Sequence, residues 1–210
     1  MADDIQKKIR SYMTGRLARL QALPENLKRA ELAELRRGIG HIPGDIPTLW
    51  GAFLTDLPEE LYGKDGEVSH AEWAIYTALT MFALHQQGHD VWMHEENKRF
   101  GRAVRELAPV NNDGDDDLKR IRSRFNRIAT ASDMLEMANH LRGMVRLLSD
   151  GKGIQLLSDG KGIQLDYVQL ACDMYDYALS SESRSRVRLR WGQDFCRIKS
   201  ENGAKETDEQ

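Results

Sequence analysis

Apolar residues recur at spacings of three and four along most of the 210 residues, and no stretch alternates apolar and polar side chains as a half-buried strand would. This period is that of an amphipathic helix, which completes one turn every 3.6 residues. The pattern therefore predicts an all-α fold. Its helices are expected at about residues 3–22, 25–37, 70–87, 95–107, 118–129, 132–148, 166–179 and 183–199.

Two stretches rich in turn-forming residues interrupt the helical pattern. Residues 38–58 contain several prolines and glycines, and they predict an ordered loop that Trp50 and Phe53 anchor in the core. The run Asn111–Asp117 predicts a short, solvated acidic connector. We therefore expect two small helical bundles, at residues 1–112 and 113–200, followed by a disordered polar tail at residues 201–210.

A nine-residue segment, 147–155, is repeated without change as residues 156–164. The unit is too short to be the repeat of a solenoid. It is interpreted as a lengthened surface loop, because added loop length costs little closure entropy.

The composition says more about where the protein is located in the cell than about its function. A net charge of −3 does not by itself indicate a polyanionic partner. The sparse cysteines, Cys172 and Cys196, are predicted to be reduced core thiols rather than a disulfide. The N-terminal residues lack the features of a signal peptide, and the most apolar stretch, residues 71–84, is shorter than the roughly 20 residues of a membrane span. A cytoplasmic protein without a membrane partner is expected.

Basic side chains follow the polar side of several predicted helices. Arg120, Arg124 and Arg127 lie at spacings of four and three, and Arg142 and Arg146 lie one turn apart on the next helix. A guanidinium group pairs bidentately with phosphate, so a row at helical pitch can follow a nucleic-acid backbone. The alternative is that these groups are solvated or form ion pairs within the chain.

The apolar stripes opposite these cations are Leu118, Ile121, Phe125 and Ile128, then Met134, Met137, Leu141, Met144 and Leu148, and finally Val187, Trp191, Phe195 and Ile198. The candidate nucleic-acid-binding residues are Arg36, Arg37, Lys98, Arg99, Arg102, Arg105, Arg120, Arg124, Arg127, Arg142, Arg146, Arg184, Arg186, Arg188 and Arg190.

Other motifs give weak evidence for chemistry. His85 and His89 have a spacing that could place two metal ligands on one helix face, with His94 nearby, but a glycine lies between the first two and no His-Glu-x-x-His motif occurs. The run Asp113–Asp117 lacks the final glutamate of a calcium loop, and Gly153–Lys161 departs from the phosphate-loop spacing. No nucleophile has an evident base. We expect no catalytic site, no metal and no cofactor.

Several segments, read in order, resemble the small-subunit (CasB) family of Cascade, the type I-E CRISPR surveillance complex. They are Ala33–Gly38 with Pro43 and Trp50 behind it, Ala83–Gln87, Phe100–Ala103, Arg124–Phe125, Leu141–Arg142 and Trp191–Phe195. Together they span about residues 30 to 198. Gln193 stands where the family commonly has arginine, and the family does not require the duplicated segment.

The resemblance implies a non-catalytic, all-helical subunit of this antiviral defense complex, present in two copies along the backbone that carries the guide RNA. Its basic surface would support the target and displaced DNA strands of the open R-loop. The expected partners are the backbone and large subunits, a second copy of the chain, and both DNA strands. Two alternatives remain open: a pure protein-interaction scaffold, and a helical metal-dependent hydrolase built on His85 and His89.

Overall fold

The computed structural model describes residues 2–107, 116–150 and 162–197. Its α-helices are α1 (Ala2–Ala22), α2 (Glu25–Arg37), α3 (Trp50–Phe53), α4 (His70–His85), α5 (Phe100–Glu106), α6 (Asp116–Ala129), α7 (Met134–Asp150), α8 (Tyr167–Leu179) and α9 (Ser181–Cys196). Two short 3-10 helices occupy Pro47–Leu49 and Glu59–Leu61. In these ranges the only β feature is one isolated bridge between His94 and Leu165. The predicted all-α fold is confirmed, and none of the described helices is long and apolar enough to cross a membrane.

Helix α4 lies at the centre of the fold. A capping box starts it: the Ser69 hydroxyl accepts from the Glu72 backbone N–H at 3.0 Å, and the Glu72 carboxylate accepts from the Ser69 N–H at 2.7 Å. Most of the helix is buried around its whole circumference, as its apolar sequence predicts. It packs against α2, α7 and α8.

Helix α8 packs against α1, α4 and α9, and so joins the earlier helices to the later ones. Tyr167, at its first turn, is fully buried and donates its hydroxyl to the Met81 carbonyl of α4 at 3.3 Å. Buried apolar side chains from residues 9–107 and from residues 118–195 belong to one contiguous core. The predicted connector lies largely outside the described residues, and the division into two bundles remains a prediction.

An aromatic cluster fixes α5, α6 and α9 to one another. The Phe100 ring lies 5.2 Å from Trp191 and 5.5 Å from Phe125, and Phe125 stacks on Phe195 at 5.2 Å. Gly101 permits this close packing, because a Cβ there would lie 2.2 Å from the Trp191 carbonyl oxygen. Two of the segments that carry the family resemblance therefore pack directly against each other.

The predicted apolar stripes are buried wherever the structure describes them, except that Met134 is half-buried, while Ile198 lies outside the described residues. The predicted helix boundaries differ from the observed ones by up to three residues, except at α5, where the difference is larger. The helix expected at 95–107 begins at Phe100, because Asn97 has a φ of 67° and its N–H bonds to the Asp166 carboxylate at 2.9 Å. A left-handed residue interrupts helical propagation.

Two burial predictions are corrected. Phe53 is buried as expected, but Trp50 is 51% exposed, because α3 is a single turn whose inner side is filled by Ala52 and Phe53. Cys172 is buried, and burial raises the pKa of its thiol to about 11. Cys196, at the end of α9, is exposed and is not a core thiol.

The repeated segment has packed ends. Residues 147–150 form the last turn of α7. At the other end, Ile163 is buried and donates its N–H to the Leu148 carbonyl at 2.8 Å, while the Gln164 amide donates to the Trp92 carbonyl at 2.8 Å. The rest of the predicted loop, 151–161, lies outside the described residues, as does the tail 201–210.

Candidate nucleic-acid interface

Helix α6 presents a row of arginines to solvent. Its buried side is set by Ile121, Phe125 and the other members of its apolar stripe, so Arg120, Arg124 and Arg127 emerge on an exposed side. A shallow depression of about 340 Å³ runs beside this row. It is lined by Asp116, Lys119, Arg120, Ser123, Arg124 and Arg127.

The depression continues onto helix α7. A second one, of about 180 Å³, is lined by Arg124, Arg127, Asn139, His140, Gly143 and Met144. Because the two share Arg124 and Arg127, we treat them as one surface, the α6–α7 groove, defined by the lining residues of both. Gly143 has no side chain, and a Cβ there would meet nothing within 4 Å, so the groove stays open at this point.

The α6–α7 groove is strongly basic. Among its described lining residues Asp116 is the only carboxylate, and it lies 3.3 Å from the Lys119 ammonium. No carboxylate of the described residues pairs with Arg124 or Arg127. Two further cations of α6, Lys119 and Arg122, are exposed but are not among the residues predicted from the sequence. Both could have been predicted, because they lie on the polar side of a helix whose apolar stripe was predicted correctly.

The two arginines of α7 differ in environment. Arg146 is exposed and lies one turn beyond Gly143, so it extends the basic surface past the end of the groove. Arg142 is half-buried, and its Nε is fully buried without a hydrogen-bond partner in the described part of the chain. The pair is therefore not a uniform exposed stripe.

Two arginines of α9 are engaged within the protein. Arg184 donates to the Tyr177 carbonyl at 3.2 Å, and its guanidinium lies 4.8 Å from the Tyr177 ring centroid. Arg188 donates to the Ala129 carbonyl and, at 3.0 Å, to the Tyr177 hydroxyl. Since Ala129 ends α6, Arg188 places a positive charge at the negative end of that helix dipole.

Arg190 is also held internally. Its guanidinium lies 2.6 Å from the Asp173 carboxylate and 3.8 Å from that of Asp176. Asp173 is buried and also accepts from the Trp191 indole N–H at 2.7 Å. Burial raises the pKa of Asp173, and the Arg190 charge opposes that rise. Of the predicted α9 row, Arg186 alone has an exposed side chain.

The basic residues around α5 are largely paired with carboxylates. Two of them precede the helix and two lie on it: Lys98, Arg99, Arg102 and Arg105. The Lys98 ammonium lies 2.8 Å from Glu106, and the Arg102 Nε lies 3.9 Å from the same residue. Arg99 is 3.9 Å from Asp194 of α9. Arg105 is half-buried. Of these pairs, the one between Arg99 and Asp194 joins α5 to another helix, and the Arg99 and Arg102 side chains remain about half exposed.

Arg36 and Arg37 lie on α2, away from the α6–α7 groove. Arg36 is half-buried, donates to the Ala83 carbonyl at 3.2 Å, and has a pKa lowered by burial. It lines a cavity of about 530 Å³ between α2 and the segment after α4, which shares no residue with the groove. Arg37 is exposed and pairs with Glu34 at 3.0 Å. The structure thus brings together only part of the predicted set.

The predicted histidine pair is engaged within the fold. His85 is buried, its Nδ1 lies 2.9 Å from the Tyr167 hydroxyl, and desolvation lowers its pKa to about 3. The His89 Nε2 lies 2.9 Å from the Ser149 hydroxyl. The described residues contain no group of three or more His, Cys, Asp or Glu side chains placed to hold a metal ion.

The fold and the groove define a small all-α protein with a basic surface across two helices. The family model described as CRISPR-associated protein Cse2 matches residues 31–195, and the chain belongs to this family. This confirms the resemblance to the small subunit of type I-E Cascade.

Two solved structures are similar over nearly the whole chain. CasB from Thermobifida fusca is 28% identical with a TM-score of 0.61, covering 92% of this chain and 96% of its own. A CRISPR-associated protein of the Cse2 family from Thermus thermophilus is 22% identical with a TM-score of 0.61, covering 90% and 96%. A search of curated protein sequences finds no match.

Proposed function

We propose that this small subunit is a non-catalytic element that stabilises the R-loop of a type I-E complex by binding the backbones of the target and displaced strands. On this proposal it packs against the backbone that carries the guide RNA, beside a second copy of itself. The observation that carries the proposal is the α6–α7 groove, in which Arg120, Arg124 and Arg127 line a continuous basic surface.

The groove suits recognition of a phosphate backbone better than recognition of bases. Its cations are arginines and a lysine, and no Phe, Tyr or Trp is among its described lining residues to stack on a base. In an RNA-guided complex, base pairing reads the sequence, so the protein need only hold strands by their charge and shape. An electrostatic surface of this kind is sufficient for that role.

The direct test replaces Arg120, Arg124 and Arg127 together by Ala. All three side chains are exposed, so the fold should persist. Each phosphate contact on a single strand contributes about 0.7 units to the log–log salt dependence, so the slope should fall by roughly two units. In the assembled complex, guide RNA should bind normally while the R-loop dissociates faster.

A matched control removes the same charge elsewhere. Arg10, Arg19 and Arg29 are exposed on α1 and α2 and do not line the groove. Their triple replacement by Ala should leave the salt slope close to that of the parent. Equal losses in both triple variants would show that total charge, rather than the groove, drives binding, and would contradict the proposal.

One group of observations favours the second candidate, a protein-interaction scaffold without direct nucleic-acid contact. Several predicted contacts are neutralised internally, including Lys98 by Glu106 and Arg190 by Asp173. An unchanged salt slope, combined with failure of the groove variant to enter the complex, would support the scaffold.

A further inference from the structure

Trp50 is a large aromatic residue in a segment that resembles the family, yet its side chain is 51% exposed and the basic groove does not include it. We propose that Trp50 is the anchor of a protein-docking surface. Its partner is another protein subunit of the complex, which would bind the indole in an apolar pocket surrounded by basic side chains. This inference rests on the proposed function, because it takes the complex as the partner.

The backbone around Trp50 is firmly held. The Tyr12 hydroxyl donates to the Phe53 carbonyl at 2.7 Å, and the Arg16 Nε donates to the Ala52 carbonyl at 2.9 Å. Both donors lie on α1, so the single turn of α3 is fixed to the core beneath it. A tryptophan on a backbone that is already ordered needs no backbone ordering on binding, which favours its use as a binding anchor.

Other exposed apolar side chains occur in the same part of the chain. Tyr62 is 41% exposed, and its hydroxyl donates to the Leu54 carbonyl at 3.0 Å, at the end of the turn that Trp50 begins. Ile42, in the preceding loop, is also exposed. Exposed aromatic residues of this kind are enriched at the centres of protein interfaces.

The charge of this region selects a protein partner over a nucleic acid. Residues 39–69 contain six carboxylates against a single lysine, Lys64. Arg19 and Lys8 of α1 neutralise two of them, Asp56 and Glu60, and leave the region acidic. Phosphates would be repelled here, whereas lysine and arginine side chains around an apolar pocket would be attracted.

The test uses the full chain and, as the probe, type I-E complex assembled without its small subunit. Trp50→Ala should bind this probe about 30-fold more weakly than the parent, the loss typical of an interface anchor. Its thermal midpoint should change only slightly, because half of the side chain surface is exposed. Leu189→Ala is the matched control: Leu189 is 63% exposed on α9, and its truncation should leave binding unchanged.

A charge test addresses the nature of the partner. Glu59 and Glu67 are exposed, and their joint replacement by Lys should weaken capture by the probe most strongly at low salt. Single-stranded DNA binding by the isolated Trp50→Ala variant should equal that of the parent. Failure of the groove proposal would instead appear as an unchanged salt slope in the Arg120, Arg124 and Arg127 variant, so the two failures are distinguishable.

Three results would overturn the inference. Normal capture of Trp50→Ala by the probe would show that the residue anchors nothing there. Loss of single-stranded DNA affinity in that variant would make Trp50 a base-stacking residue. A change in the oligomeric state of the isolated chain, with normal capture by the probe, would assign the surface to a second copy instead.

Discussion

Replacement of Trp191 by Ala should strongly destabilise the protein. The indole is 1% exposed, lies 5.2 Å from Phe100 and stacks on Tyr177 at 6.2 Å. Truncating a buried large aromatic typically costs about 3–5 kcal/mol. The variant also removes one donor from the buried Asp173 carboxylate, at a further cost of about 1–3 kcal/mol. The sum is comparable with the whole stability of a typical domain, about 5–15 kcal/mol.

Trp191→Phe separates these two contributions. It keeps a ring against Phe100 and Tyr177 but removes the N–H that donates to Asp173, so it should cost much less than the Ala variant. The assay is urea unfolding followed by circular dichroism. The free energies of unfolding can be compared directly if the variants have the same dependence on urea concentration. A Trp191→Ala protein with the parent's stability but without nucleic-acid binding would refute the reasoning and make Trp191 an exposed stacking residue.

Two further predictions concern the repeat and a buried histidine. Deletion of residues 156–164 should leave the thermal midpoint nearly unchanged. The deletion joins Gln155 to Leu165, so Ile154 and Gln155 would take the places of Ile163 and Gln164, which are the same residue types. Burial lowers the pKa of His85 from 6.5 to about 3, so its contribution to the free energy of unfolding is complete above pH 6.5 and is lost as pH falls. That loss is about 1.4 kcal/mol per pH unit, and urea unfolding of His85→Gln across this range should show a shallower decline than the parent.

Each of these predictions has a clear contrary outcome. A cooperative loss of helicity on deletion would show that residues 156–164 have packing contacts that the first copy cannot replace. Parallel stability curves for parent and His85→Gln below pH 6.5 would show that His85 is protonated in the folded protein.

The sequence alone predicted most of the helices and their inner sides. Helix α2 has the bounds that were predicted, and the apolar stripe of α6 is buried at every predicted position. These features follow from local periodicity, since residues three and four apart share a helix face whatever packs against it. The order of short motifs along the chain was enough to indicate the family, which the family model then confirmed.

Only the tertiary structure decided which cations remain available. Arg124 and Arg190 both follow the polar side of a helix, but Arg124 lines an open groove whereas Arg190 is held by Asp173 of another helix. Arg188 is engaged by Ala129, 59 residues away. Trp50 faces solvent for the same kind of reason, because α3 is short and other residues fill its inner side. Helical periodicity is a local property of the sequence. Ion pairing and exposure depend on how distant helices pack, and residue spacing along the chain does not predict that packing.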